Sequence, residues 1–204
     1  MSGEELDVSV CVFGHGDRQL DLKIRPRYPR SGMSNTEEAE WKYVYLESIS
    51  KNIQHSGPWD CEFCGKPARV TLSSVASYRD RPEVYVYLHA LCSADPGPCR
   101  TAYNTKEREA AERAGYPNYA PSPYPPLNDP ARPYPLLASC AGCKKDSTAD
   151  VAPWNNEGLM RCSGCKLTRY CGVSCQRQDW PSHKKFCKVA GHPSWKGEAT
   201  ASQE

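Results

Sequence analysis

Paired cysteines crowd the last third of this sequence and leave it few ways to fold. They fall at Cys140-x2-Cys143, Cys162-x2-Cys165 and Cys171-x3-Cys175, followed by His183-x3-Cys187. Such a pair can clasp one ion from both sides of a tight turn, and two pairs complete a tetrahedral zinc. Eight donors describe two closed four-ligand sites. A catalytic zinc keeps one position open for water or substrate, so closure predicts structural metal. Spacing alone permits sequential or interleaved pairing. A segment of about fifty residues cannot bury a sufficient core, which favours interleaving, because crossed sites tie the whole segment together. Each structural zinc supplies about 10–16 kcal/mol of apparent binding energy, comparable to a domain's net stability.

Disulfides are the other use of paired cysteines, and they belong to secreted chains. Here the chain opens Met1-Ser-Gly-Glu-Glu-Leu-Asp7, without the basic start and apolar stretch of a secretion signal. No apolar run reaches the length that spans a bilayer. Paired thiols in a reducing compartment are metal ligands, so the expectation is zinc in an intracellular protein of nucleus, cytoplasm or both. The 204 residues allow one or two small domains, and a net charge of +2 advertises no strong field for nucleic acid. Eighteen prolines, fourteen glycines and a mean hydropathy of -0.71 argue against a large core.

The residues between the ligands are more specific. The run Cys162-Ser-Gly-Cys165-Lys-Leu-Thr-Arg-Tyr170-Cys171-Gly-Val-Ser-Cys175-Gln176-Arg-Gln-Asp179-Trp180-Pro-Ser-His183-Lys-Lys-Phe-Cys187 closely resembles the MYND-type zinc finger, over residues 140–187. One departure is a long loop between Cys143 and Cys162, carrying Asp150, Pro153, Trp154, Asn155 and Asn156; added loop length costs little closure entropy. The resemblance implies a cross-brace. Cys140, Cys143, Cys171 and Cys175 would hold one zinc, and Cys162, Cys165, His183 and Cys187 the other. It also implies recognition of Pro-x-Leu-x-Pro peptides, in partners such as transcriptional regulators. The peptide would lie along an edge strand near Ser163, Gln176 and Trp180. An extended proline peptide is preordered, and Trp180 offers it a flat apolar platform.

A third site is expected upstream. Cys61-Glu-Phe-Cys64-Gly65 reads as a zinc-knuckle turn, with glycine where a positive φ is often needed. Val70 to Val75 and Val84 to Leu88 read as two strands around the turn-prone Arg79–Pro82. The second strand delivers His89, Cys92 and then Cys99, as in a zinc ribbon or treble clef. Cys61, Cys64, Cys92 and Cys99 form the favoured set because thiolates dominate structural zinc; His89 in place of Cys99 is the rival. This region resembles, more loosely, the cysteine-containing segment before the finger in some fungal MYND-domain proteins. Only Cys11 is left over, in Val8–Phe13, and reads as a buried strand residue.

The rest is less distinctive. Val8–Phe13 and Gln19–Ile24 suggest a hairpin around His15-Gly16-Asp17, within residues 1–60 whose fold stays open. A helix starting from a Thr36 cap carries Trp41, Val44, Tyr45, Ile49 and Ile53 at helical spacing. Arg100–Gly115 reads as a solvated helix with i,i+4 charge pairs and a glycine stop, closing a unit of residues 61–115. Residues 116–136 form a proline-rich linker, a semi-rigid spacer or, through Pro121-x-Pro123-Tyr124-Pro125-Pro126, a ligand for proline-recognising domains. The finger occupies 137–190, and 191–204 read as a disordered tail.

The fold expectation is therefore a small zinc-stabilised α+β chain. It combines an upstream ribbon-like β-hairpin with flanking helices, the linker and the cross-brace finger. Catalysis is not expected. No Asn-His-Ser-Cys motif of the methyltransferase SET domain appears, nor a nucleophile elbow or phosphate loop, and His15, His55 and His192 read as exposed turn residues. Non-specific nucleic-acid binding is the alternative function, through Lys144, Lys145, Arg161, Lys166, Arg169, Arg177, Lys184, Lys185 and Lys188.

Overall fold

A computed structural model describes residues 3–77, 83–120, 134–149 and 158–197. In chain order the elements are β1 (Asp7–Phe13), β2 (Gln19–Ile24), α1 (Asn35–Ile53), β3 (Val70–Ser77), β4 (Glu83–Leu91), α2 (Pro98–Arg113), β5 (Met160–Arg161), β6 (Arg169–Tyr170), α3 (Val173–Cys187) and β7 (Ser194–Lys196). The Arg79–Pro82 turn, most of the proline-rich stretch, the residues singled out in the long finger loop and the last residues of the chain lie outside the described residues.

The alternation in the first two strands folds as an antiparallel pair, in which Val8, Val10 and Val12 face Ile24, Leu22 and Leu20. All six are buried, the two-residue period of a strand with one covered face. The ribbon strands β3 and β4 pair antiparallel as well, but they do not stand alone. Alongside β1, β4 runs parallel and sets Val84, Val86 and Leu88 beside Val8, Val10 and Val12, giving a mixed sheet of order β3-β4-β1-β2-β7. Residues 1–60 and 61–115 thus share one sheet instead of forming separate units. Neighbouring parallel strands need a long crossover, and α1 lies within it.

Helix α1 begins two residues before the expected cap. Ser34 accepts from the Glu37 N–H at 3.3 Å while Glu37 accepts from the Ser34 N–H at 2.8 Å, a reciprocal pair that outcompetes Thr36 as the start. Leu46, Ile49 and Ile53 bury its apolar stripe. Helix α2 departs from its expected solvated character, since Tyr103 and Glu107, one turn apart, are buried.

The largest correction concerns the finger, which was expected to stand apart behind the proline-rich spacer. One apolar core runs from the covered sheet face through Ile49, Ile53 and Trp59 into Leu137, Leu167, Tyr170 and Phe186. At the junction the Leu137 N–H donates to the Ala68 carbonyl at 2.9 Å, and Arg69 pairs with Asp146 at 2.8 Å. The finger is docked on the upstream half. A further correction falls in the tail: Ser194–Lys196 adds β7 to the sheet, with Trp195 opposite Leu20. Trp195 stacks on Trp59 at 5.5 Å and Lys196 pairs with Asp21 at 2.5 Å, so an aromatic anchor orders a polar stretch. Cys11 does sit in a strand, but on the opposite face and only half-buried, where burial and then Asp21 push its thiol up to about 11.

Candidate metal centres

Three groups of four donors converge among the described residues: Cys61, Cys64, Cys92 and Cys99; Cys140, Cys143, Cys171 and Cys175; Cys162, Cys165, His183 and Cys187. Within each group the ligand atoms lie within 4.8 Å of one another. Thiolates about 2.3 Å from one zinc stand about 3.8 Å apart at the corners of a tetrahedron. Cys64 and Cys92 are 3.8 Å apart, Cys92 and Cys99 3.8 Å, and Cys162 and Cys187 3.8 Å. Nε2 of His183 lies 3.6 Å from Cys165, as the shorter zinc–nitrogen bond requires. These separations are far from the roughly 2 Å of a disulfide, and the cysteines are free. Donor chemistry and spacing fit zinc at all three sites.

A single backbone device builds each group. Residues Gly65, Lys144 and Lys166 directly follow a Cys-x2-Cys pair and take φ of 73°, 54° and 58°. Each donates its N–H to the carbonyl of the first cysteine of its pair at 2.9 Å. The resulting knuckle turns backbone N–H groups toward sulfur. Burial opposes ionisation of Cys140, but the N–H groups of Cys143, Cys171 and Gly142 outweigh it and bring the thiol down to about 7. Cys162 is lowered likewise against its burial by the N–H groups of Cys165 and Gly164, and Cys64 by that of Lys66. Every site thus owns one thiol inclined to ionise, the form a metal needs.

The second and third groups interleave. Helix α3 serves both, giving Cys175 from its first turn and His183 and Cys187, one turn apart, from its end. Crossing brings the ligand pairs so close that only glycine fits between them. A Cβ on Gly142 would stand 2.8 Å from Cys175, and one on Gly164 2.7 Å from the Cys187 sulfur. Tyr170 pins β6 to α3 by donating to Asp179 at 2.7 Å.

His89 is not among the converging ligands. Its ring is 2% exposed, with Nδ1 2.6 Å from Glu62 and Nε2 3.5 Å from Glu107, while Lys106 pairs with the other oxygen of Glu62. Burial works against the Glu62 carboxylate, but His89 and Lys106 hold its pKa below the ordinary range. This ion cluster ties the upstream knuckle to α2, and the charge-rich sequence of α2 was its only signal. His55 also departs from expectation. It is fully buried, with Nδ1 3.0 Å from the Ser139 carbonyl, because the end of α1 is covered by the finger. Ser163 is exposed in its knuckle, Gln176 is half-buried, and Trp180, one turn beyond Gln176 on α3, is 39% exposed.

Interleaved four-donor sites on a short ribbon and one helix define a cross-braced double zinc finger. Residues 140–187 match the family model of the MYND finger, and this segment is a MYND finger, a protein–protein interaction module. The chain is 56% identical over 32 residues to Tudor domain-containing protein 1 of Oryzias latipes, which covers 16% of this chain and 3% of that protein. Over 54 residues it is 37% identical to the histone-lysine N-methyltransferase SMYD3 of Homo sapiens, covering 26% and 13%. The N-lysine methyltransferase SMYD2 of Gallus gallus is 55% identical over 59 residues, covering 26% and 14%. The matches thus span 3–14% of these relatives' lengths. No solved structure matches the chain significantly. Among the described residues, no helix is long and apolar enough to cross a membrane.

Proposed function

We propose that this chain is a non-catalytic zinc adaptor whose finger receives a short Pro-x-Leu-x-Pro-like peptide from a protein partner. The observation that carries the reading is Trp180, 39% exposed on α3 one turn beyond Gln176. A large aromatic face left open beside a polar side chain suits the alternating apolar and hydrogen-bonding demands of an extended proline peptide. Met160 and Val173 of the finger are also exposed. Each donor group is a complete tetrahedral set, which supports a structural role for all three metals. The methyltransferase activity named for two relatives belongs to proteins matched only within a short segment. A thiolate-rich chain suits the reducing nucleus or cytoplasm, and a peptide of this kind suits a transcriptional regulator as partner.

The test is peptide binding to the full chain by fluorescence anisotropy, with Gln176→Ala and Trp180→Ala as variants and zinc content measured alongside. Trp180→Ala is expected to weaken binding by about 2 kcal/mol, roughly 30-fold, with all three zincs retained. Binding indifferent to both substitutions would remove this groove.

A further inference from the structure

The hydrogen bonds of His183 reach back to the last turn of α1. Nε2 faces the metal-ligand group, 3.6 Å from Cys165, whereas Nδ1 lies 2.9 Å from Oδ1 of Asn52. The far end of that amide settles its orientation. Asn52 Nδ2 donates to the Ser48 carbonyl at 2.9 Å, and a carbonyl only accepts, so Oδ1 must be the atom turned toward the ring. Oδ1 also only accepts. Nδ1 must therefore carry the proton, and Nε2 of the neutral imidazole keeps its lone pair for the metal. The Thr168 hydroxyl closes the arrangement, donating to the Asn52 carbonyl at 3.1 Å and lying 3.5 Å from Nδ1.

We propose that Asn52 is a positioning residue for the metal site of Cys162, Cys165, His183 and Cys187, so that the N-terminal half of the chain sets that site's affinity. The ligand set itself lies wholly inside the finger. What holds the histidine in its metal-binding tautomer, and at its angle, comes from a helix more than a hundred residues earlier, since Asn52 and His183 are separated by 131 positions. Asn52 is itself held firmly. Its neighbours Ile49 and Ile53 are buried in the shared core, and the next residues of the same turn are also built into the finger. The Arg169 N–H donates to the His55 carbonyl at 3.2 Å, and Arg161 donates to the Ser56 carbonyl at 3.4 Å. Groups that orient a ligating histidine through its second nitrogen change metal affinity by about 10- to 100-fold when removed. The finger is then sensitive to anything that shifts the end of α1.

The experiment loads the full chain with zinc and follows transfer of each ion to a competing chelator, with a cobalt-substituted sample to tell the mixed sulfur–nitrogen site from the two all-sulfur sites by absorption. Asn52→Leu, which removes the acceptor, is expected to weaken one of the three sites, the one with nitrogen, by about 10- to 100-fold. Asn52→Asp keeps an acceptor and is expected to remain near the wild-type value. Unchanged affinity in Asn52→Leu overturns the proposal, and so does equal weakening of all three sites in both variants, which marks a packing loss. Should Asn52→Leu fail to fold, the wild-type protein still decides. Long-range proton–nitrogen correlation must show His183 protonated at Nδ1 and metal-bound through Nε2, and the opposite tautomer overturns the assignment.

Discussion

At the residue scale, the knuckles reveal where the sequence accepts strain. Gly65 occupies its left-handed position without penalty, whereas Lys144 and Lys166 hold φ of 54° and 58° with a full side chain. A left-handed residue with a Cβ costs about 1–2 kcal/mol, partly offset against glycine by the latter's chain entropy of about 0.5–1 kcal/mol. Lys166→Gly is therefore expected to raise stability by about 0.5–1 kcal/mol, and Lys166→Val to lower it, read from urea unfolding of the zinc-loaded protein. His55 belongs to the same scale. Burial first, then the nearby charge of Lys144, pushes its pKa down to about 4 from an ordinary 6.5. A histidine so depressed favours the folded state above pH 6.5 and loses that contribution as pH falls toward 4, because the unfolded chain binds the proton first. The expected consequence is a gap in unfolding free energy between wild type and His55→Asn that narrows by up to about 3 kcal/mol over that window. A gap independent of pH would contradict the buried, neutral ring.

Elements were legible to the degree that their information is local. Alternation marked β1 and β2, and apolar spacing marked α1, because each pattern is complete within its own span. Two hydroxyl residues, Ser34 and Thr36, compete for the start of α1, and only the reciprocal bonds of Ser34 with Glu37 decide. Ser34→Ala is expected to cost about 1 kcal/mol in thermal unfolding. Pairing was illegible. Nothing in Val8–Phe13 says that its neighbour is Val84–Leu88 in parallel, or that β2 takes Ser194–Lys196 as its edge. The same holds for His55: a Gln-His-Ser-Gly stretch looks like an exposed turn, and its cover arrives 84 residues later in Ser139. The metal ligands were the opposite case, since tight spacing carries the chelate geometry in the sequence itself. Even there, the choice between His89 and Cys99 needed Glu62 and Glu107 in place around the ring.

At the scale of the whole molecule, the two metal sites of the finger share one core with the sheet. Cys140, Cys162 and Cys165 are packed in the same apolar cluster as Val10, Ile49 and Ile53. Stripping zinc is then expected to loosen more than the finger. Hydrogen exchange during chelation of the full chain should show amides of β1 and β4 losing protection together with those of α3, and a sheet that stays protected while α3 opens would show two independent units instead.

The position of β1 has a further consequence for how the protein is made. It is the central strand of the sheet, yet among the described strands it is made before all the others, and β7, which covers the outer edge of its partner β2, is made after them. At about 5–20 residues per second, the interval between them lasts roughly ten seconds or more. For that time β2 offers an open row of backbone donors and acceptors to any other nascent chain. The three-residue strand β7 therefore acts as a latch, and a chain cut just before it would keep the twelve metal ligands and leave this edge bare.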